Sequence, residues 1–332
     1  MARILVVGDL HFSDRSAKIM PYVTRGITKS IAKYTPDLVV FLGDTLDRFR
    51  MIDSIWHKSA TKFLIETSLQ VPILLLIGNH DIANKNDFMS DDHGFHALEY
   101  FQGISVADTQ AVLLEIKGFK FLGVPYCPNG RFMEGVKTYT GDLKDITGIF
   151  AHQEFQGCNM NGYSSKHGDS WPEDYPLIIS GHIHQHQRHQ INIMYPGSPY
   201  QDKSDEPLDK SISMYIFSPD TQFPVETRIY LNVPKKYRLK INTLEYKQLQ
   251  VDPKHIYIIT VSDLESKLAK WRTNKKTDII LENGGKVNFK AIDLISDEIL
   301  EKFEILPTIQ HMVFETIKNR DNLLAIHSLI YL

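Results

Sequence analysis

Four short polar segments of this 332-residue chain each follow an apolar run, and that pairing constrains the fold more than any other feature. Gly8-Asp9-Leu10-His11 follows residues 4–7, and Gly43-Asp44-Thr45-Leu46-Asp47-Arg48 follows 38–42. Gly78-Asn79-His80-Asp81 follows 73–77, and Gly181-His182-Ile183-His184 follows 177–179. Short apolar runs bounded by turn residues read as buried strands. Each segment therefore places oxygen and imidazole donors just past a strand's C-terminal end, where open α/β sheets gather ligands. A fifth imidazole, His152, ends the apolar stretch 146–150. Strand-end turns are rich in Gly, Asp and Asn in any case, but five such segments in order outweigh that reading.

The spacing between these runs sets the organisation. Strand 4–8, a helix over about 20–34 with Val23, Ile27, Ile31 and Tyr34 on one face, strand 37–43, a helix carrying Trp56, Ala60, Phe63 and Leu64, and strand 72–77 form a β-α-β-α-β unit. Such a unit predicts parallel pairing. Val112 to Ile116 and Phe119 to Val124 flank Lys117-Gly118 as a hairpin. Further strands are expected near 146–151, 176–180, 191–195, 213–217 and 225–231, giving two mixed sheets flanked by helices. The segment Val233-Pro234-Lys235-Lys236-Tyr237-Arg238-Leu239-Lys240 reads as a junction between domains 1–234 and 235–332. The second is small and α+β, with strand 255–261, a helix bearing Leu264, Leu268 and Trp271, strand 277–281, and a helical end from about 297.

The net charge of −3 gives no global nucleic-acid signature; any phosphate-binding surface must be a local cluster. Two cysteines, Cys127 and Cys158, cannot build a disulfide framework and point to a reducing compartment. No run approaches the ~18 apolar residues of a membrane span, and with a strand reading from the first residues no signal peptide is expected. The expected location is intracellular: cytoplasm, nucleoid, nucleus or a virus-infected cell.

Two divalent cations about 3.5–4 Å apart need a bridging carboxylate with terminal ligands on each side. Asp44 is the best-placed bridge. Asp9, His11 and His184 would complete one position; Asn79, His152 and His182 the other. In extended backbone residues i and i+2 point the same way, so Asp-x-His and His-x-His each aim two donors at one centre. The mixed N/O set without thiolate fits Mn, Fe, Zn or Co better than Ca or a structural Zn; Mn(2+) is the expected metal. His186 and His189 are expected at the surface, and His93, His96 and His167 are not expected to bind metal. Phe155, Tyr126 and Tyr200 are expected to pack in the core or at the rim.

These residues resemble the calcineurin-like metallophosphoesterases, whose pattern D-x-H, G-D-x-x-D, G-N-H-[DE], a lone His and G-H-x-H is matched in full between Asp9 and His184. The resemblance implies a four-layer α/β/β/α sandwich, the ligand set above, and a catalytic role for His80, which in the family protonates the leaving oxygen. An imidazole is the natural proton donor near neutral pH. Asp47 or Asp81 would hold it protonated, and Arg48 would balance developing negative charge.

Within the family, Tyr195-Pro196-Gly197-Ser198-Pro199-Tyr200 soon after G-H-x-H resembles the SbcD-type DNA-repair nucleases, the group of the meiotic recombination nuclease. Asp47 fits the bacterial and phage pattern. The resemblance implies a DNA substrate, a capping-like second domain, an SMC-like coiled-coil ATPase partner docking on C-terminal helices, and possible homodimerisation. Asp47-Arg48 also resembles the G-D-x-x-D-R-G of Ser/Thr phosphatases, though Phe49 replaces the Gly and Asp81 stands where those enzymes have Glu. A phosphatase or a phosphodiesterase acting on a small molecule, RNA or phosphoprotein is therefore the enzymatic rival. A non-catalytic scaffold is the rival of another class, weakened because no ligand has been lost.

Overall fold

The computed structural model describes residues 1–47 and 53–291. Arg48 and the apolar C-terminal segment from 309, expected to be helical and either to pack on its own domain or to bind a partner, lie outside the described residues.

The first sheet starts from β1 (Ala2–Val7), α1 (Met20–Tyr34), β2 (Leu38–Phe41), α2 (Ser54–Ser68), β3 (Ile73–Leu76) and β4 (Ile104–Ala107), with β1 to β4 parallel in order. Next come the hairpin β5 (Val112–Ile116) and β6 (Phe119–Val124), α3 (Phe132–Val136), β7 (Gly148–His152), and a small hairpin of β8 (Asn159–Met160) and β9 (Tyr163–Ser164). They are followed by β10 (Leu177–Gly181), β11 (Gln187–Gln190), β12 (Ile193–Tyr195), β13 (Ile212–Phe217) and β14 (Val225–Ile229). The sheet orders are β14-β13-β1-β2-β3-β4 and β11-β12-β10-β7-β6-β5. Both are mixed: β13 pairs antiparallel with β1, while β6, β7, β10 and β12 are parallel.

Alternation along the strands builds the layers. Ile4, Val6, Leu38, Val40, Leu74, Leu76 and Phe217 face Phe121, Phe150 and Ile179 between the sheets. The intervening Leu5, Val7, Val39, Phe41 and Leu75 meet Val23, Ile27 and Ile31 of α1 and Ala60, Phe63 and Leu64 of α2. Each such side chain, fully buried, stabilises the fold by about 1.5–3 kcal/mol relative to exposure. Asp53 caps α2 by accepting from Ile55 N and Trp56 N, and Trp56 Nε1 donates to Asp14 Oδ1 at 2.7 Å, anchoring the loop after β1. On the far side Leu122, Val124, Ile149, Ala151 and Ile178 are covered by Phe132, Val136 and Trp171. The layers are thus α/β/β/α, with a thin fourth layer built from the five-residue α3 and loops.

A separate parallel sheet follows: β15 (Lys236–Ile241), α4 (Thr243–Gln248), β16 (Ile256–Asp263), α5 (Glu265–Leu268), α6 (Lys275–Glu282) and β17 (Lys286–Ala291). It has its own apolar cluster around Tyr246, Tyr257, Ile259, Val261, Leu268 and Ile280. The expected strand at 277–281 is instead helix α6. Asn274 caps it by accepting from Lys276 N, and Gly284, at φ +75°, ends it, so the termini decide against the β-branched interior. The expected junction is also partly corrected: from Lys236 it is strand rather than linker.

Candidate metal centre

The C-terminal ends of β1, β2, β3, β7 and β10 meet at one edge of the sandwich. The loops leaving them are bent sharply. His11, Asp44 and His182 have positive φ of 46°, 48° and 75°, a conformation that costs a non-glycine residue on the order of 1–3 kcal/mol. Such strain persists where the surroundings over-determine it, as packed donor clusters do. Gly78 is required by proximity: a Cβ there would lie 2.3 Å from both Asp44 N and Asp44 Oδ1. Gly78→Ala is therefore expected to displace the Asp44 carboxylate, weaken metal binding, and cost about 1–3 kcal/mol of stability through overpacking. Metal titration and thermal melting of the variant check both effects.

The predicted ligands form two donor groups, beside a further trio of His11, Asp47 and His80. Asp9, His11 and His184 make one, with His11 Nε2 3.1 Å from His184 Nε2 and His184 Nε2 3.9 Å from Asp9 Oδ1. Asp44, His152 and His182 make the other. Here His152 Nε2 lies 3.3 Å from Asp44 Oδ1 and 3.1 Å from Asn79 Oδ1, and His182 Nδ1 lies 2.8 Å from Asn79 Oδ1. Asp44 Oδ2 lies 3.9 Å from His11 Nε2, so this carboxylate touches both groups. All seven sequence-predicted ligands are thus brought together.

The donors fit cations rather than one another. Among the described residues Asp9 Oδ2 and His11 Nδ1 are buried without a hydrogen-bond partner, and two imidazole nitrogens facing at 3.1 Å need a proton or a cation between them. Several outward nitrogens are fixed by partners that leave the inward nitrogen as donor, a hallmark of ligating histidines. His152 Nδ1 donates to Leu42 O at 2.7 Å and His184 Nδ1 to Glu206 Oε1 at 2.9 Å. Burial, reinforced by His152, pushes His182 down to about 4, so it is neutral and able to ligate at neutral pH. Burial opposes charge on His152, but Asp44 overcomes it and raises the imidazole to about 9. Burial likewise pushes Asp44 up, yet His152, His80 and His11 hold it well below the usual carboxylate range. In the protein alone a proton on His152 balances Asp44; divalent cations would take over that balance.

His80 stands beside the bridge, its Nε2 4.0 Å from Asp44 Oδ2, and its side chain is partly open to solvent. Its backbone N donates to Asp44 Oδ1 at 2.8 Å. Its Nδ1 donates to the carbonyl oxygen of Asp47 at 2.8 Å, leaving Nε2 toward the centre. Asp47 therefore meets His80 through its backbone, while its carboxylate accepts from Arg15 Nη2 at 2.5 Å and lies 3.7 Å from His11 Nδ1. Asp81 fastens the loops by accepting from Thr45 N, Leu46 N and Gly78 N. Burial and Asp44 raise its carboxyl to about 6 against those bonds.

Sequence reading missed Arg15, Glu206 and Lys210. Glu206 and Lys210 sit in an irregular loop after Ser198 with no periodicity to reveal them. Glu206 is buried, and burial pushes its carboxyl up, but His184 and Lys210 hold it at about 2 against an ordinary 4.5. A depressed folded pKa adds stability above the unfolded value and loses it as pH falls through the folded one. The metal-free protein is therefore expected to lose stability as pH drops from about 4.5 towards 2. Glu206→Gln should remove that part of the slope, checked by urea denaturation at stepped pH.

Elsewhere, His186 Nε2 pairs with Glu226 and His189 Nε2 with Gln156 O, away from the centre. Phe155 and Tyr200 are buried, while Tyr126 stacks on His182 with centroids 6.3 Å apart. Cys127 and Cys158 are free and buried. His93 and His96 flank Asp108 after β4, each 3.2 Å from Asp108 Oδ2. His93 Nδ1 accepts from Phe95 N at 3.2 Å, and the donor atoms of His93, His96 and Asp108 lie close enough to form a further trio that could hold an ion. No helix among the described residues is long and apolar enough to cross a membrane.

Comparison with known proteins adds a family match: the model described as calcineurin-like phosphoesterase covers residues 2–206. The chain is similar to "Putative phosphoesterase 078R" of Invertebrate iridescent virus 3, 33% identical over 298 residues, 86% of this chain and 84% of that protein. It is also similar to "Putative phosphoesterase 244L" of Invertebrate iridescent virus 6, 34% identical over 272 residues, 80% of this chain and 95% of that one. Among solved structures, the E. coli phosphoesterase Yfce matches at a TM-score of 0.32 and 14% identity, over 69% of this chain and 100% of that one. That distance bears on neither substrate nor site.

Proposed function

The chain belongs to the calcineurin-like phosphoesterase family and is a hydrolase of phosphoester bonds, and from that premise we propose that it is a two-metal phosphodiesterase of the SbcD type whose substrate is DNA. The observation that carries the reading is the convergence of seven donor side chains, with Asp44 shared between two groups. Cations held there would polarise the phosphodiester and lower the pKa of a water nucleophile; Mn(2+) suits the N/O donor set. His80 supplies the acid. Its Nδ1–H is tied to Asp47 O, which leaves Nε2 as the atom that would hand a proton to the leaving oxygen. Asp47 also holds the Arg15 guanidinium at the rim, where spare N–H donors meet a phosphate.

The DNA assignment draws support from β15. Lys236, Arg238 and Lys240 alternate with Tyr237, Leu239 and Ile241, which face the apolar cluster. Three cations thus share the other face. Lys236 Nζ donates to Asp202 O at 2.6 Å and Arg238 Nε to Ser204 Oγ at 3.2 Å, which sets this face beside the loop carrying Glu206. An SMC-like ATPase partner belongs to the same reading. The test is a substrate panel with Mn(2+): duplex ends, single-stranded DNA, RNA, cyclic nucleotides and p-nitrophenyl esters. DNA cleavage that falls in Arg238→Ala/Lys240→Ala, while p-nitrophenyl ester hydrolysis is kept, is the expected result. Hydrolysis of small esters alone would overturn the DNA assignment.

A further inference from the structure

A buried ion pair stands directly behind one ligand. Glu206 Oε1 accepts from His184 Nδ1 at 2.9 Å, and Glu206 Oε2 meets Lys210 Nζ at 2.8 Å. Lys210 Nζ also donates to His184 O at 2.7 Å and to Ser198 Oγ at 3.0 Å, so it grips the same histidine from its backbone side. Asp202 N donates to Glu206 Oε2 at 3.1 Å, completing the carboxylate's partners. Both side chains are at least 95% buried. Burying two charges is costly unless geometry and hydrogen bonds compensate. Here the pair brackets one residue, Glu206 on the His184 ring and Lys210 on its backbone oxygen.

We propose that Glu206, braced by Lys210, is a positioning residue that fixes His184 in the Nδ1–H tautomer and keeps its Nε2 aimed at the position shared with Asp9 and His11. The proposal rests on the two-cation reading above. A carboxylate behind a ligating imidazole fixes ring orientation and raises ligand basicity, and losing it costs about 10–100-fold in metal affinity. The effect is one-sided. His152 takes its orientation from Leu42 O, so the position of Asp44, Asn79, His152 and His182 is independent of Glu206. The loop also reaches the third sheet: Gln201 Nε2 donates to Glu206 O at 2.9 Å, and Gln201 Oε1 accepts from Lys236 N at 2.8 Å.

The experiment titrates Mn(2+) into the full chain by calorimetry, with electron paramagnetic resonance to separate paired from isolated ions. Wild type, Glu206→Gln and the double variant Glu206→Gln/Lys210→Met are compared, each with a metal-free melting curve. The double variant removes both charges, so a fold failure caused by stranding Lys210 is relieved. The expected result is two tight ions in wild type. In both variants one ion stays tight, the other weakens about 10–100-fold, and isolated-ion signal appears at sub-saturating metal. Wild-type affinities at both positions in the double variant would overturn the positioning role, as would equal weakening of both positions. Fewer than two ions in wild type would instead refute the two-cation reading, a separate failure.

Discussion

Asp44→Ala is expected to abolish turnover and to reduce bound Mn(2+) at both positions. Asp44 Oδ1 approaches His152 and Oδ2 approaches His11, one residue from each donor group. A terminal ligand removed from one group leaves the other intact; this carboxylate serves both. The metal-free fold is also expected to respond. With Asp44 gone, nothing of comparable strength opposes the burial that lowers His152, so the imidazole falls from about 9 and sheds its proton. Losing one member of a buried pair costs up to about 3–5 kcal/mol when the remaining charge stays, and less when it neutralises. The variant should therefore melt lower, with a deficit that shrinks as pH rises through neutrality. Metal content by mass spectrometry, turnover, and melting at pH 6 and 9 together check the claim. Retention of two metals would remove Asp44 as the bridge.

Much of this site was legible because strand alternation and strand-end chemistry are local. A buried run such as 73–77 needs no tertiary information, and the residues after it must occupy the sheet's C-terminal edge. The helices at Met20–Tyr34 and Ser54–Ser68 and the hairpin around Lys117-Gly118 follow from periodicity alone. Failures occurred where a different force decides. At Thr277 to Leu281 the apolar, β-branched interior suggested a strand, whereas Asn274 and Gly284 at the two ends impose a helix. β4 and β17 were missed because Ile104–Ala107 and Lys286–Ala291 are short or half-exposed. Glu206 and Lys210 had no signal at all: their partner His184 is 22 and 26 residues away, and only the folded loop brings them behind it. Sequence placed Asp47 near His80 but could not show that its backbone oxygen, rather than its carboxylate, meets the imidazole.

His80→Asn should separate binding from chemistry. The residue follows the candidate ligand Asn79 and groups with His11 and Asp47 rather than in the trios Asp9–His11–His184 and Asp44–His152–His182. Its backbone N–H to Asp44 Oδ1 survives substitution, so the bridge keeps its orientation and both metals are expected to bind with near wild-type affinity. Asparagine occupies similar space and can still donate from its amide to Asp47 O, which limits collapse of the loop. What it lacks is an acidic proton near neutral pH. An acid that protonates a leaving group in the transition state contributes typically ~10²–10⁴-fold, so kcat should fall by about that factor while KM changes little. The leaving group supplies the internal control. A p-nitrophenolate needs far less protonation than a sugar alkoxide, so an activated ester should lose much less rate in the variant than DNA does. Equal losses on the two substrates would mean that His80 stabilises charge or positions the phosphate rather than donating a proton. Undiminished cleavage of DNA would assign the proton to another group.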